Sequence, residues 1–254
     1  MFFDTHVHFH FPDFDGDREE AFQRAEKARV QYFLNVGTDV PSSEAALKIA
    51  ESHEFVWASA GIHPHDAAKA KPADFEQIEQ LLSHPKMVAI GEVGLDFYRD
   101  HSPQAVQREV FSRFIQLALK TGKPLIIHCR DAYAALIEML TRVQPAGFNG
   151  VIHCFSSERE TLLRLVDLGF HISFAGPLTY KKNEALRDAC AACPPERLLL
   201  ETDAPFLPPQ TMRGKRNESS FLVETAAVMA VLQRLSLDAL GYVTTHNARR
   251  LFQV

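Results

Sequence analysis

The chain begins MFFDTHVHFH, and the stretch DTHVHFH at 4–10 places histidines at 6, 8 and 10. Side chains of an extended strand alternate between its two faces, so Asp4, His6 and His8 are expected to share one face. Further along, metal-competent side chains recur at the ends of short apolar runs. They are Glu92 in IGEVGLD, His128 in LIIHCR, His153 in VIHCFS, and Glu201 with Asp203, again sharing a face, in LLLETDAP. Neutral imidazole and ionised carboxylate both ligate Zn, Mn, Ni and similar divalent ions. Left unpaired in a partly dry cavity, the same groups are costly. His6, His8, Glu92, His128, His153 and Asp203 are enough for two ions sharing a bridging carboxylate. Two ions roughly 3.5 to 4 Å apart can clamp the attacking and leaving oxygens of a displacement at phosphorus.

Bringing such distant residues together requires a particular arrangement of elements. Eight β-branched or apolar runs read as strands: Met1–Val7, Tyr32–Gly37, Phe55–Gly61, Met87–Val93, Pro124–His128, Gly150–Phe155, Phe170–Ala175 and Arg197–Asp203. Between and after them lie segments of helical periodicity: Asp17–Arg29, Ser42–Ser52, Phe75–Ser83, Ser102–Thr121, Asp131–Val143, Glu158–Leu168, Asn183–Cys193, Glu218–Leu235 and Leu237–Phe252. Eight strands each followed by a helix, in a chain of 254 residues, predict one α/β domain over 1–254, a (β/α)8 TIM barrel with an extra C-terminal helix. A doubly wound open sheet is the alternative, but THVHFHFPDF after the first strand is not its glycine-rich turn. In such barrels functional groups sit at the C-terminal ends of strands, and that is where the acids and imidazoles fall.

Hydrophobic residues at 46% and charged residues at 23% exclude a disordered or fibrous chain. A net charge of −5 gives no global basic field, so nucleic-acid binding would need a local positive patch. No apolar run approaches the roughly 18 to 20 residues of a membrane span, and no signal peptide is recognisable, so a cytoplasmic protein is expected. Its four cysteines, Cys129, Cys154, Cys190 and Cys193, are then expected as thiols. Cys129 and Cys154 each follow a candidate ligand and are expected to point away from the barrel interior. His65, His84, His101 and His171 have no positional argument for a role.

DTHVHF at the start, GIHPH at 61–65, GEVGLDFYR at 91–99, IIHCRDA at 126–132, HCFS at 153–156 and LLETDAPFL at 199–207 run in order along the chain, with RGKRNE at 213–218 and NARRLF at 247–252. Together they resemble the TatD family of metal-dependent deoxyribonucleases. The resemblance implies an amidohydrolase-like barrel with two divalent ions (Mg, Mn, Zn, Ni or similar). In it His6 and His8 hold one ion with Asp203, His128 and His153 hold the second, and Glu92 bridges them, in the place many amidohydrolase relatives give to a carboxylated lysine. It further implies hydrolysis of DNA phosphodiesters, 3'-to-5' on single strands or frayed ends, with Asp203 positioning the attacking water and accepting its proton. Glu201 would support the ligands or relay a proton, and Asp96 would steady the loop after Glu92.

His63 and Arg130 resemble family positions that contact the substrate phosphate. Lys181 and Lys182 after the seventh strand, and Arg213, Lys215, Arg216 and Asn217 after the eighth, would complete a local substrate-binding patch. DNA is the expected substrate and partner; a monomer is expected, with no membrane association and no obligatory protein partner. Two positions depart from the family pattern: His10, where an acidic or small polar residue is common, and Ser219, where proline is common. His10 lies beyond the strand and is expected outside the ligand set. Two other readings stay open, a hydrolase of small-molecule amides, esters or lactones on the same metal barrel, and a metal-binding barrel serving as a scaffold.

Overall fold

A computed structural model describes residues 1–99, 101–143 and 147–254. The strands are β1 (Phe2–Val7), β2 (Val30–Val36), β3 (Val56–Ala60), β4 (Met87–Asp96), β5 (Leu125–Arg130), β6 (Gly150–Ile152), β7 (His171–Phe174) and β8 (Leu198–Leu200). They form one parallel sheet in the order of the chain. Its edges meet at a parallel bridge between Val7 and Ala204. There His8 N donates to Ala204 O at 2.8 Å and Asp203 N to His6 O at 2.9 Å. The ring therefore closes through the backbone of three candidate ligands.

Helices α1 (Arg18–Lys27), α2 (Val40–Ser52), α3 (Pro72–Leu81), α4 (Gln104–Thr121), α5 (Tyr133–Val143), α6 (Arg159–Asp167), α7 (Glu184–Ala192) and α8 (Leu222–Gln233) follow the strands, and α9 (Leu237–Phe252) comes last. Local chemistry sets their ends. The Asp39 and Ser42 side chains cap each other's backbone at the start of α2, and Gly122, at φ 71, ends α4 in the left-handed region that glycine tolerates. Helix α4 buries Val110, Phe111, Phe114, Ile115, Leu117 and Ala118. That is the apolar stripe expected of a helix facing a sheet. No single helix among the described residues is long and apolar enough to cross a membrane.

Two apolar layers result. The larger lies between strands and helices, with Phe33, Phe111, Phe114, Phe170 and Phe174 in it. The smaller fills the inside of the barrel at its N-terminal end: Phe3, Leu34, Val88, Ile126, Val151 and Leu199, sealed by Ala248, Leu251 and Phe252 of α9. Phe3 lies 5.8 Å from Trp57 and 6.3 Å from Phe252 between ring centroids. Helix α9 is thus the floor of the barrel.

The strands depart from regular alternation near the other end. Pairing shifts register between Asp4 and Val7 in β1 and between Ile90 and Val93 in β4. Asp4 consequently does not share a face with His6 and His8. Its carboxylate accepts from Thr202 N (2.9 Å), Thr202 Oγ1 (2.6 Å) and Ser219 Oγ (2.6 Å). β6 and β8 stop earlier than the sequence suggests, at Ile152 and Leu200, because Cys154 and Asp203 take left-handed backbone angles, φ 43 and φ 59. Gly94, at φ 141, passes so close to β5 that a Cβ there would strike the His128 carbonyl.

Candidate metal centre

The barrel mouth opens into a cleft of about 600 Å³ lined by His8, Glu92, His128, His153 and Asp203, with His63, His65, Arg130 and Phe206 among its other walls. His6 is fully buried beneath them. Glu92 occupies the middle. Its Oε2 lies 3.4 Å from His6 Nε2 and 3.9 Å from His8 Nε2. Its Oε1 lies 2.9 Å from both His128 Nδ1 and His153 Nε2, and 3.3 Å from His63 Nε2. Asp203 Oδ1 sits 3.5 Å from His8 Nε2 and 3.7 Å from His6 Nε2. One carboxylate therefore faces two sets of imidazoles, one through each oxygen.

The outer ring nitrogens are anchored in three of the four imidazoles. His8 Nδ1 lies 2.7 Å from Val36 O, so it carries the proton and donates, leaving Nε2 as the free lone pair. His153 Nδ1 faces Glu201 Oε1 at 3.2 Å, an oxygen that also accepts from Cys154 N at 2.8 Å. His128 Nε2 faces Asp96 Oδ2 at 3.1 Å, and Asp96 Oδ1 accepts from the backbone N–H of Tyr98 and Arg99. Glu201 and Asp96 thus orient two imidazoles and hold the loop after β4.

The residues present fit divalent cations. The facing nitrogens of His6 and His8 are 3.2 Å apart and those of His128 and His153 are 3.3 Å apart. With both facing nitrogens unprotonated, as ligation requires, their lone pairs would repel at that distance, and a cation between them would remove the repulsion. His6 Nδ1 and Glu201 Oε2 are buried with no hydrogen-bond partner. Ligand atoms of His6, His8 and Asp203 come within 4.8 Å of one another, as do those of His63, Glu92 and His128, and those of His6, His153 and Glu201.

Charge in the cleft is correspondingly lopsided. Burial opposes ionisation of Glu92, but facing His153 and His63, with hydrogen bonds from His128 and His153, hold its carboxyl well below the usual range. Burial likewise opposes a proton on His153, yet Glu92 and Glu201 raise its pKa well above that of a free imidazole. His6 goes the other way, lowered by burial and by the charge of His153. Asp203 is held low against its burial by the hydrogen bond from His8 and the charges of His6 and His153.

Other expected residues are placed differently. Asn217 is buried, its Nδ2 donating to Thr202 O (2.9 Å) and Phe206 O (2.6 Å). It braces the loop that carries Asp203 and offers no side-chain donor to a substrate, which corrects its expected binding role. Arg216 donates to Asp17 and Glu218, and Arg213 lies over the Tyr180 ring at 4.9 Å. Lys215, Lys181 and Lys182 are exposed; among the described residues, the cations on the cleft wall are Arg99 and Arg130. Arg130 stacks its guanidinium 3.8 Å from the Tyr98 ring. Cys129 and Cys154, both expected to point away, line the cleft, Cys154 on a left-handed backbone that breaks the alternation.

One cleft residue, His65, is not singled out by sequence. His65 lines the cleft with Nε2 2.8 Å from Asp96 Oδ2; its spacing of two from His63 was the available signal. His63, expected at a phosphate, lines the cleft with its Nε2 3.3 Å from Glu92 Oε1. Ser219, a departure from the family pattern, hydrogen-bonds Asp4, which in turn holds Thr202 beside Asp203.

Comparison with known proteins gives the family. The family of TatD related DNases matches residues 3–253. The chain is 38% identical over 254 residues to the uncharacterized metal-dependent hydrolase YabD of Bacillus subtilis, covering all of both chains. It is 37% identical over 247 residues to the 3'-5' ssDNA/RNA exonuclease TatD of Edwardsiella piscicida, covering 95% of each. The crystal structure of YJJV, a TatD homologue from Escherichia coli K12, superposes with a TM-score of 0.94 at 33% identity, covering 100% of this chain and 98% of that one. By sequence, fold and the ligand-competent residues at its mouth, the chain belongs to the TatD-related DNase family of metal-dependent hydrolases.

Proposed function

We propose that the protein is a 3'-to-5' exodeoxyribonuclease acting on single-stranded DNA or frayed ends and using two divalent ions. The observation that carries this reading is the Glu92 carboxylate, whose two oxygens face separate imidazole sets. His6, His8 and Asp203 would hold one ion and His128 and His153 the other, with Glu92 between. The naming of the Edwardsiella relative as a 3'-5' ssDNA/RNA exonuclease supports the substrate class. All proposed ligands come from one chain, so a monomer suffices.

Bound divalent ions supply an activated water near neutral pH and neutralise charge on the phosphate. The chain's own residues do the rest. Asp203 stays ionised at the mouth and is placed to position the attacking water and take its proton at the carboxylate. Arg130, pinned flat on Tyr98, presents a fixed cation to a phosphate oxygen. His63 closes the cleft beside Glu92. Glu201 and Asp96 keep His153 and His128 in the orientation that points a lone pair inward.

The test is an end-labelled single-stranded oligonucleotide incubated with Mg or Mn. The native protein shortens it from the 3' end, and Asp203→Asn lowers the rate by about a hundred-fold or more, the scale of general-base catalysis. No shortening, or shortening unchanged by Asp203→Asn, overturns the reading. Turnover of small amides, esters or lactones in its place would favour the small-molecule alternative.

A further inference from the structure

We propose that Phe206 is a stacking platform for the nucleobase next to the phosphate in the cleft, an inference that rests on the nuclease reading. Large apolar side chains exposed among the described residues are few, and Phe206 is one, at 49%. It is also on the cleft wall, three residues after Asp203. An aromatic face turned to water beside metal-competent carboxylates has no role in folding that burial would explain.

The ring is held, not loose. Phe206 N donates to Asp203 O at 2.8 Å, and Phe206 O accepts from Asn217 Nδ2 at 2.6 Å. Asn217 N in turn donates to Pro205 O at 3.0 Å. Phe11 meets the Phe206 ring edge-on at 5.9 Å and stacks on His8 at 4.7 Å, so an aromatic shelf runs from the proposed ligand His8 to the rim. A preformed platform loses little freedom when it binds.

Position in the barrel gives the shelf its direction. The loops after β8 and β1, which carry Phe206 and Phe11, lie across the ring from the loop after β4 and the end of β5, which carry Arg99 and Arg130. Cations on one wall, with Tyr98 occupied by Arg130, and the Phe206 face on the other match a single strand, whose phosphates and bases project to different sides. Phenylalanine offers a π-face and no hydrogen bond, so the platform reads no base identity. It does require a free face, which a base within a duplex stack lacks.

Metal-loaded enzyme is assayed on a dT oligonucleotide and on the same strand with tetrahydrofuran abasic residues at its last two 3' positions. Phe206→Ala is expected to raise KM on the dT strand roughly ten-fold, the scale of one base stacked on an aromatic, with kcat within about two-fold. Phe206→Trp restores KM; Phe206→Leu, apolar but without a π-face, does not. On the abasic-ended strand native and Phe206→Ala have the same KM. A 2-aminopurine at the 3' end loses fluorescence on binding the native protein and not on binding Phe206→Ala. The proposal is overturned if Phe206→Ala or Phe206→Leu matches the native KM on the dT strand. It is also overturned if the loss persists on the abasic strand. In this assay the nuclease reading itself fails if the native protein leaves both strands intact.

Discussion

The two ends of this barrel are built on opposite rules. At the floor, the rings of Phe3, Tyr32, Trp57 and Phe252 pack together beside Leu251, with Lys86 and Arg249 lying over the Trp57 and Tyr32 faces. At the mouth, imidazoles and carboxylates are buried against each other with nitrogens facing nitrogens at 3.2 and 3.3 Å. Backbone strain divides the same way. Asp131, Cys154, Asp203 and Leu207, non-glycine residues at positive φ, all lie in loops at the mouth. Arg29, Arg234 and Gln253, the others, follow helix ends, where the left-handed angle is an ordinary terminator. The floor carries stability, and the mouth gives up some of it for a prearranged cavity.

Crossed substitutions would break that division if it is wrong. Phe252→Ala removes a buried ring from the floor and is expected to cost about 3–5 kcal/mol, a fall of roughly 10 °C in Tm for a chain of this size. Its folded molecules should still bind metal and turn over normally. Metal at a hundred times its Kd should add about 2.7 kcal/mol of stability to the native protein for each ion bound. Phe252→Ala keeps that increment, and Asp203→Asn loses most of it. Thermal scans with and without EDTA and Mn, alongside turnover per folded molecule, check all of this. A floor variant that loses the metal increment would mean that the two ends are coupled.

Acid sharpens the same contrast through His171, at the floor end of β7. Burial, with the charges of Arg197 and Arg250, pushes its pKa down to about 4. The unfolded chain binds that proton near pH 6.5 and the folded one does not until about pH 4, so stability falls as pH drops through this window. The slope is about 1.4 kcal/mol per pH unit at most, and His171→Leu should abolish it. Urea midpoints of native and variant in EDTA at pH 7, 6, 5 and 4 measure the difference, because the mouth histidines titrate equally in both. Parallel curves would show that His171 is protonated without cost.

How far all this was legible depended on what kind of residue carried the signal. All eight strands and the extra helix were readable, because β-branched runs and apolar stripes such as Phe111–Phe114–Leu117 repeat the physics that folds them. So were the six convergent ligand candidates, since a histidine or acid closing an apolar strand is conspicuous. What escaped was set by backbone geometry. The bulge between Asp4 and Val7 and the left-handed angles at Cys154 and Asp203 follow from ring closure, which no local residue type announces. Loop charge misled for the opposite reason. RGKRN reads as a substrate patch, yet Arg216 is spent on Asp17 and Glu218 and Asn217 on the loop backbone. One of the partners, Asp17, stands at the start of α1, far away in sequence.

The smallest expected effect tests the boundary of the mouth itself. His10 continues the period of His6 and His8, but its ring turns to Asn35, Nδ1 lying 3.2 Å from Asn35 Oδ1. Burial, and then the neighbouring His8, push its pKa down to about 3, so it is neutral and carries no charge into the cleft. The ring centroids of His8 and His10 are 5.8 Å apart, with Phe11 filling the corner between His10 and the cleft. His10→Ala should therefore keep the metal stoichiometry of the native protein and a kcat within about two-fold. The missing hydrogen bond to Asn35 costs about 1 kcal/mol of stability. Metal analysis of the variant decides the point: loss of either ion would place His10 among the ligands and move the edge of the centre outward by one strand pleat.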